Sequence, residues 1–551
     1  MLRKLPRSKL QELIGEETLE SIVKIIPHIP NSGVELADEI YNDKALLIKI
    51  FDSFSGKDSM YSPKFRETLY GCFSLEEIDE MCNLVGISTD EDFKTKVNKL
   101  AKLPWKNNTN TQKLIQYLGL PESYLPPVTE TIPNVECIRK PDVPFKSLLD
   151  FQTDICNRAV KTLSNPYSHF IIKMPTGSGK TRTTMEIITK ELNAHPDRSV
   201  IWLAHSEELC EQAVQCFKEV WEHVGRFDID VMRVWGNNSL HELQRTSFIV
   251  AGLQKFYSLI SNKKNNEKYG ELVQKISKNI SLIVVDEAHK SIAPTYKKVI
   301  DTLSSQFNNV RIIGLTATPG RGSINSNSAE TEELLEYYNN EILEIDSGES
   351  SVFSYLRNRK ILAKMDYDPL KTDLIFRLTE QEKRAVEKFY DYPEGFLERI
   401  STDSTRNLEI ILKLKKVCEE KKKTIFFAGG LEHSKFICAV LIFLGFKAEH
   451  IDGSTKRERR AEIISDFKEG KLDVICNYGV LTTGFDAPNT DVVFIARPTL
   501  SVVLYSQMIG RGLRGPAIGG TDKCTIIDVI DNIENYASPD ICYEYFKEYG
   551  V

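Results

Sequence analysis

The stretch HFIIKMPTGSGKTRTTMEIITKEL, His169 to Leu192, decides how the 551-residue chain folds. An apolar run, HFIIK, leads into a loop with two glycines and then into a segment whose apolar residues recur at helical spacing. Strand, glycine loop and helix together are the context that a phosphate-binding loop requires. Gly177 and Gly179 let backbone N–H groups turn inward on a phosphate, and the N-terminus of the following helix adds partial positive charge. Pro175, Thr176 and Ser178 complete the loop. Lys180 is placed to reach the β- and γ-phosphates of a nucleotide, and Thr181 to ligate Mg²⁺. The general pattern GxxxxGK[ST] has glycine where Met174 stands, so an ordinary glycine turn of an α/β domain is the alternative.

The same alternation continues along the chain. SVIWLAH, SFIVAGL, SLIVVDEAH and VRIIGLTATP are short apolar runs separated by helix-like segments such as EELCEQAVQCFKEVW. A second series starts near Lys423 with KTIFFAGG, FKAEHIDG, LDVICNYGV, TDVVFIARP and CTIIDVID. Strands alternating with helices predict parallel sheets covered on both faces. We therefore expect an α/β chain with two tandem parallel-sheet domains, at residues 143–345 and 421–551. Residues 346–420 are expected to form a linker and a helical arm, and GRGSINSNSAETEELL a polar loop.

The first 142 residues differ. LQELIGEETLESIVKII and ELADEIYNDKALLIKIFDSF carry apolar residues at helical spacing, and Ser74 with Glu77 forms a capping-box signal. An all-helical accessory domain is expected there, ending in a proline-rich linker, LPPVTETIPNVECIRKPDVP.

Composition bounds the function. Hydrophobic residues make up 41% and charged residues 27%, as in a globular protein. No run approaches the roughly 18–20 apolar residues that span a bilayer, and the N-terminus turns charged without an apolar signal core. A cytoplasmic protein is expected. Eleven scattered cysteines contain no CxxC pair, which leaves zinc ribbons and iron–sulfur clusters without support. The net charge of −7 means that any polyanion must be held by a local groove or by backbone amides.

LIVVDEAH ends a buried-strand pattern in two carboxylates. Asp286 is placed to hold Mg²⁺, and Glu287 to orient or deprotonate an attacking water. QMIGRGLRGP, Gln507 to Pro516, sets two arginines among glycines near the C-terminus, where a loose basic loop is the bland reading.

Taken in order, these motifs resemble superfamily 2 helicases and translocases of the DEAH type, closest to the restriction-type branch. The resemblance covers residues 145–535. It implies two RecA-like domains with ATP and Mg²⁺ bound between them, and it accepts MPTGSGKT as a form of the first motif. It makes Gln152 the reader of adenine, and Gly484 and Asp486 in LTTGFDAP part of the ATP site. His289, Thr316, Thr318 and Gln507 become coupling residues. His205, Gly252, Gln254, Gly429, Thr482 and Thr483 become contacts to nucleic-acid phosphates, which carry no base information. Arg511 and Arg514 become arginine fingers that join Lys180, Asp286 and Glu287 as the catalytic set. The commonest form of that last motif is QxxGRxGR; here Leu513 replaces the second glycine and Gly512 stands one place earlier. The implied activity is ATP-driven unwinding of, or movement along, nucleic acid in repair, restriction or defence. DNA is favoured over RNA, with a protein partner for residues 1–142. The alternatives are an RNA-directed motor of the same superfamily and a motor subunit whose nuclease is a separate protein. The basic run KRERRAEIISDFK reads as a solvated helix face or as a phosphate-binding surface. Trp202 belongs to a strand core, and for Phe485 core and base-stacking roles both stay open.

Overall fold

The computed structural model describes the chain except for residues 36, 127–133, 139–144, 244, 306–309, 318–328, 349–350, 390, 482–488, 535–541 and 544–551. Apolar runs with buried residues on both faces give the first sheet. Its strands are β1 (Val135–Ile138), β2 (His169–Lys173), β3 (Ser199–Ala204), β4 (Ile229–Val234), β5 (Ser247–Gly252), β6 (Ile280–Asp286), β7 (Arg311–Thr316) and β8 (Ile342–Glu344). They lie in the order β1-β4-β5-β3-β6-β7-β2-β8, with β1 antiparallel to β4 and the remaining pairs parallel. Every residue of β3 and β6 is buried, as helices on both faces demand, and Trp202 is wholly inside. Lys173 pairs with Thr316 and Asp286 with Leu315, which brings the C-terminal ends of β2, β7 and β6 to one edge. Open α/β sheets bind their ligands at that edge.

The second sheet contains β9 (Lys364–Tyr367), β10 (Leu370–Phe376), β11 (Thr424–Phe427), β12 (Ala448–Ile451), β13 (Val474–Asn477), β14 (Val492–Ile495) and β15 (Lys523–Ile533). The order is β10-β15-β14-β11-β13-β12, with β9 also on β15, and all these pairs are parallel.

Three expectations change here. The proline-rich tail read as a linker contributes β1 to the edge of the first sheet. The segment read as a helical arm supplies β9 and β10 before its helices Glu380–Phe389 and Glu394–Ser401. These are partly exposed edge strands, so they lack the continuous apolar run that marks a central one. The polar loop falls partly outside the described residues, and its end, Ala329–Tyr337, is helical.

Helices alone occupy the described residues from Arg7 to Tyr117, and Ser74 and Glu77 form the capping box. Their apolar faces settle on the second α/β domain. Leu47, Ile50 and Phe51 share one core with Ile410, Ile411 and Leu414 of the helix Ser404–Glu419 and with Ile437 and Leu441 of the helix Leu431–Phe443. Phe54 meets Phe436 with ring centroids 6.2 Å apart.

A buried ion pair ties the helix Ser404–Glu419 to the second sheet. Arg406 donates from Nε to Asp531 Oδ1 at 2.7 Å and from Nη2 to Asp531 Oδ2 at 2.9 Å, with both side chains fully buried. Asp531→Ala leaves that guanidinium without its counter-charge and is expected to lower stability by about 3–5 kcal/mol. Denaturant unfolding of the variant measures the loss, and the double exchange Arg406→Met with Asp531→Leu should recover most of it. Among the described residues no helix is long and apolar enough to cross a membrane.

Candidate nucleotide cleft

The loop after β2 takes the shape its glycines allow. Gly177 and Gly179 have φ of +85° and +86°, in the left-handed region that L side chains avoid. Ser178 Oγ donates to Pro175 O at 2.7 Å and closes the turn. The helix Lys180–Ala194 starts directly on Gly179, with no side-chain cap on its first amides. Gln152 is buried against this loop: its Nε2 donates to Ser178 O at 3.0 Å, and its Oε1 accepts from Leu149 N at 3.0 Å.

Asp286 ends β6 and is buried, with Oδ1 accepting from Glu287 N at 3.0 Å. Glu287 itself has φ +55°, a strained conformation for a residue with a long side chain. Burial pushes the Asp286 carboxyl up to about 6, Glu287 adds to the rise, and Lys180 opposes it. For Glu287 burial also acts upward, but Lys180, His289 and His205 together outweigh it and hold the carboxyl below its ordinary value. His289, buried, places Nδ1 3.4 Å from Glu287 Oε2.

The opposite wall comes from the second domain. Gln507 Nε2 donates to Glu287 Oε1 at 3.3 Å across the cleft, and Arg511 Nε donates to Gln507 O at 3.1 Å. A side chain at Gly177 would meet Leu362, Leu513 and Arg514, and one at Gly510 would lie 2.3 Å from Thr176 Cγ2. The two walls are therefore in van der Waals contact beside one cavity of about 650 Å³. Gln152, the loop from Pro175 to Thr181, Asp286, Glu287, Gln507, Arg511 and Arg514 all line it. The GRGLR spelling now has a physical reason. A side chain at Gly512 would run into Cys524 Sγ at 2.2 Å, so glycine is needed there, while Leu513 is buried against Leu362 and the phosphate loop.

Residues 145–321 match the family described as "Type III restriction enzyme, res subunit", and residues 407–515 match "Helicase conserved C-terminal domain". The chain belongs to the superfamily 2 helicases, on their restriction-type branch. This superfamily 2 chain is 26% identical over 400 residues to the Saccharomyces cerevisiae protein named "Putative ATP-dependent helicase IRC3", covering 70% of itself and 51% of that protein. The Escherichia coli "Type I restriction enzyme EcoAI endonuclease subunit" is 24% identical over 77% of the chain and 50% of its own length. The chain thus spans about half the length of these relatives. Among solved structures, the "ATP-dependent Type ISP restriction-modification enzyme LlaBIII bound to DNA" aligns with a TM-score of 0.49 and 15% identity, over 74% of this chain and 29% of that one.

The helicase motifs beyond the cavity are more scattered. Thr316 is buried at the end of β7, where its carbonyl accepts from Met174 N at 3.2 Å. His205 follows β3, and burial pushes its imidazole down to about 4, with Lys290 lowering it further and Glu287 opposing. Gly252 caps the helix Leu253–Ser261, and Gln254 is exposed on its first turn. Gly429 is buried, and its N–H already donates to His433 Nδ1 at 3.2 Å. Thr318, Thr482, Thr483, Gly484, Phe485 and Asp486 lie outside the described residues. Two arginines of the basic run are committed to internal partners. Arg459 pairs with Glu449 and Glu462, and Arg460 pairs with Glu208 of the helix Glu207–Val224, joining the two domains. Among the described residues no group of three or more His, Cys, Asp and Glu side chains is placed to hold a metal ion.

Sequence reasoning missed a second part of the cavity. Phe145, 43% exposed, lies 5.5 Å from the His223 ring and under the Arg182 guanidinium at 5.4 Å. It directly follows the tail read as a linker, and only the fold brings it to the helix Glu207–Val224.

Proposed function

We infer that the chain is a nucleic-acid-dependent ATPase that moves along or unwinds DNA. The observation that supports this best is the single cavity lined by both half-sites, the glycine loop with two carboxylates on one side and two arginines on the other. Its size and its left-handed glycines suit a nucleoside triphosphate. Asp286 is a buried carboxylate whose charge Lys180 only partly offsets, which suits a divalent ion. Thr181 and Asp286 would hold Mg²⁺, which when bound neutralises phosphate charge.

In this reading Lys180 grips the β- and γ-phosphates, and Gln152 reads the adenine. Glu287 accepts a proton from the attacking water. Arg511 and Arg514 stabilise the charge that builds up on the transferred phosphoryl group. Gln507, His289, Thr316 and Thr318 report the nucleotide's state to the edge where His205, Gly252, Gln254, Thr482 and Thr483 meet a strand's phosphates, without Gly429, whose amide is already bonded to His433. Loss of the γ-phosphate then loosens the closed pair of domains, and repeated closure moves the chain along the strand. Gly484 and Asp486 complete the ATP site from the second domain. The name of the restriction relative, an endonuclease subunit, supports DNA and a place in restriction; repair or defence, a cytoplasmic location and residues 1–142 as the docking element for a protein partner belong to the same proposal.

Phosphate release measured with ATP alone, and with matched single-stranded DNA, duplex DNA and RNA, tests this. DNA is expected to raise turnover severalfold. Greater stimulation by RNA would overturn the DNA assignment, and no stimulation by any of the three would overturn the motor.

A further inference from the structure

The helical arm sits on the C-terminal edge of the second sheet. Asp391 Oδ1 accepts from Leu500 N at 2.9 Å and from Thr499 Oγ1 at 3.0 Å, just past β14. Glu394 Oε1 accepts from the Tyr478 hydroxyl at 3.4 Å, just past β13. Ser401 closes over the turn after β11, since a side chain at Gly429 would lie 2.5 Å from its Oγ. Gly429 is thus covered and its amide is taken by His433, which leaves this strand end without the backbone donor expected there.

A different donor stands at the same place. Arg497, directly after β14, lies over the Tyr478 ring with its guanidinium carbon 5.9 Å from the ring centre. β11 runs between β14 and β13, so the pair arches over the strand end that carries Gly429. Arg497 is half-buried, and its Nε is buried with no acceptor among the described residues. Asp391, part-buried on the arm, uses Oδ1 for Thr499 and Leu500, and the Arg497 charge opposes the rise that burial imposes on its carboxyl. A guanidinium stays charged at any physiological pH and offers five N–H donors in a planar fork that fits phosphate oxygens.

We propose that Arg497, held in place by Tyr478, binds a phosphate of the nucleic-acid strand and takes the part expected of Gly429. The proposal rests on the motor reading above. Tyr478 is the positioning residue: its hydroxyl is fixed by Glu394, and its ring fixes the plane of the guanidinium.

The test is the salt dependence of binding, followed by anisotropy of a labelled single-stranded oligonucleotide with the full chain and its Arg497→Met and Arg497→Lys variants. Methionine keeps the apolar stack on Tyr478 and removes the charge, and an unchanged thermal midpoint shows that the fold is intact. One lost phosphate contact should weaken binding about tenfold and lower the slope of log K against log salt by about 0.7. Lysine should restore most of the slope. Arg497→Met with the parent's slope and affinity overturns the proposal while the motor reading stands. A parent chain that binds no oligonucleotide at any salt overturns both.

Discussion

Exchange of Glu287 for glutamine is expected to cut nucleic-acid-stimulated ATP turnover by about 10²–10⁴-fold, the usual worth of a positioned general base. The side chain sits on a left-handed backbone that points it into the cleft beside Lys180, His289 and Gln507. Burial acts to raise its pKa, but its neighbours, Lys180 first among them, outweigh that and hold the carboxyl below its ordinary value, so it is ionised at neutral pH and can take a proton from water. Glutamine keeps the shape and still offers Gln507 a carbonyl acceptor, so the walls should stay together and ATP should still bind. Steady-state phosphate release, paired with binding of a fluorescent ATP analogue, separates the two effects. Turnover close to that of the parent would remove Glu287 from the chemistry.

Arg514→Ala should cost about 10³–10⁵ in turnover, as removal of an arginine finger does, with little change in nucleotide affinity. The backbone around Arg514 is pinned independently of its side chain. Arg514 forms an antiparallel bridge with Leu362, and its carbonyl accepts from Thr521 N at 3.1 Å. Truncation is therefore expected to remove a charge from the cleft and leave the loop in place. Lysine should rescue poorly, because an ammonium cannot reproduce the planar fork. A variant that hydrolyses normally once saturated but binds ATP weakly would contradict the finger role.

The cleft was more legible in the sequence than the chain's outline. A phosphate loop is written locally: a strand, two glycines, a lysine and a helix within a few residues, and Asp286–Glu287 likewise end one apolar run. Leu362, Phe145 and the engagement of Gly429 with His433 have no such local signature, because each depends on what another segment brings near. The same holds for the fold. β3 and β6 are buried on both faces and stand out as apolar runs, whereas β1, β9 and β10 alternate with exposed residues at sheet edges and read as linker or helix. Helical spacing marked the first 142 residues as a helical domain, but it says nothing about which of two α/β domains their apolar face will cover.

That choice of neighbour has a price during synthesis. The face formed by Leu47, Ile50 and Phe51 is made early, and its complement on Ile410, Ile437 and Leu441 emerges from the ribosome several hundred residues later. At about 5–20 residues per second the delay is tens of seconds, during which an apolar surface stands uncovered. The nascent chain is therefore a natural client for a chaperone holding its first helices. A version truncated ahead of the first sheet would bare the complementary face for good, and proteins captured on it would report stickiness and not a partner.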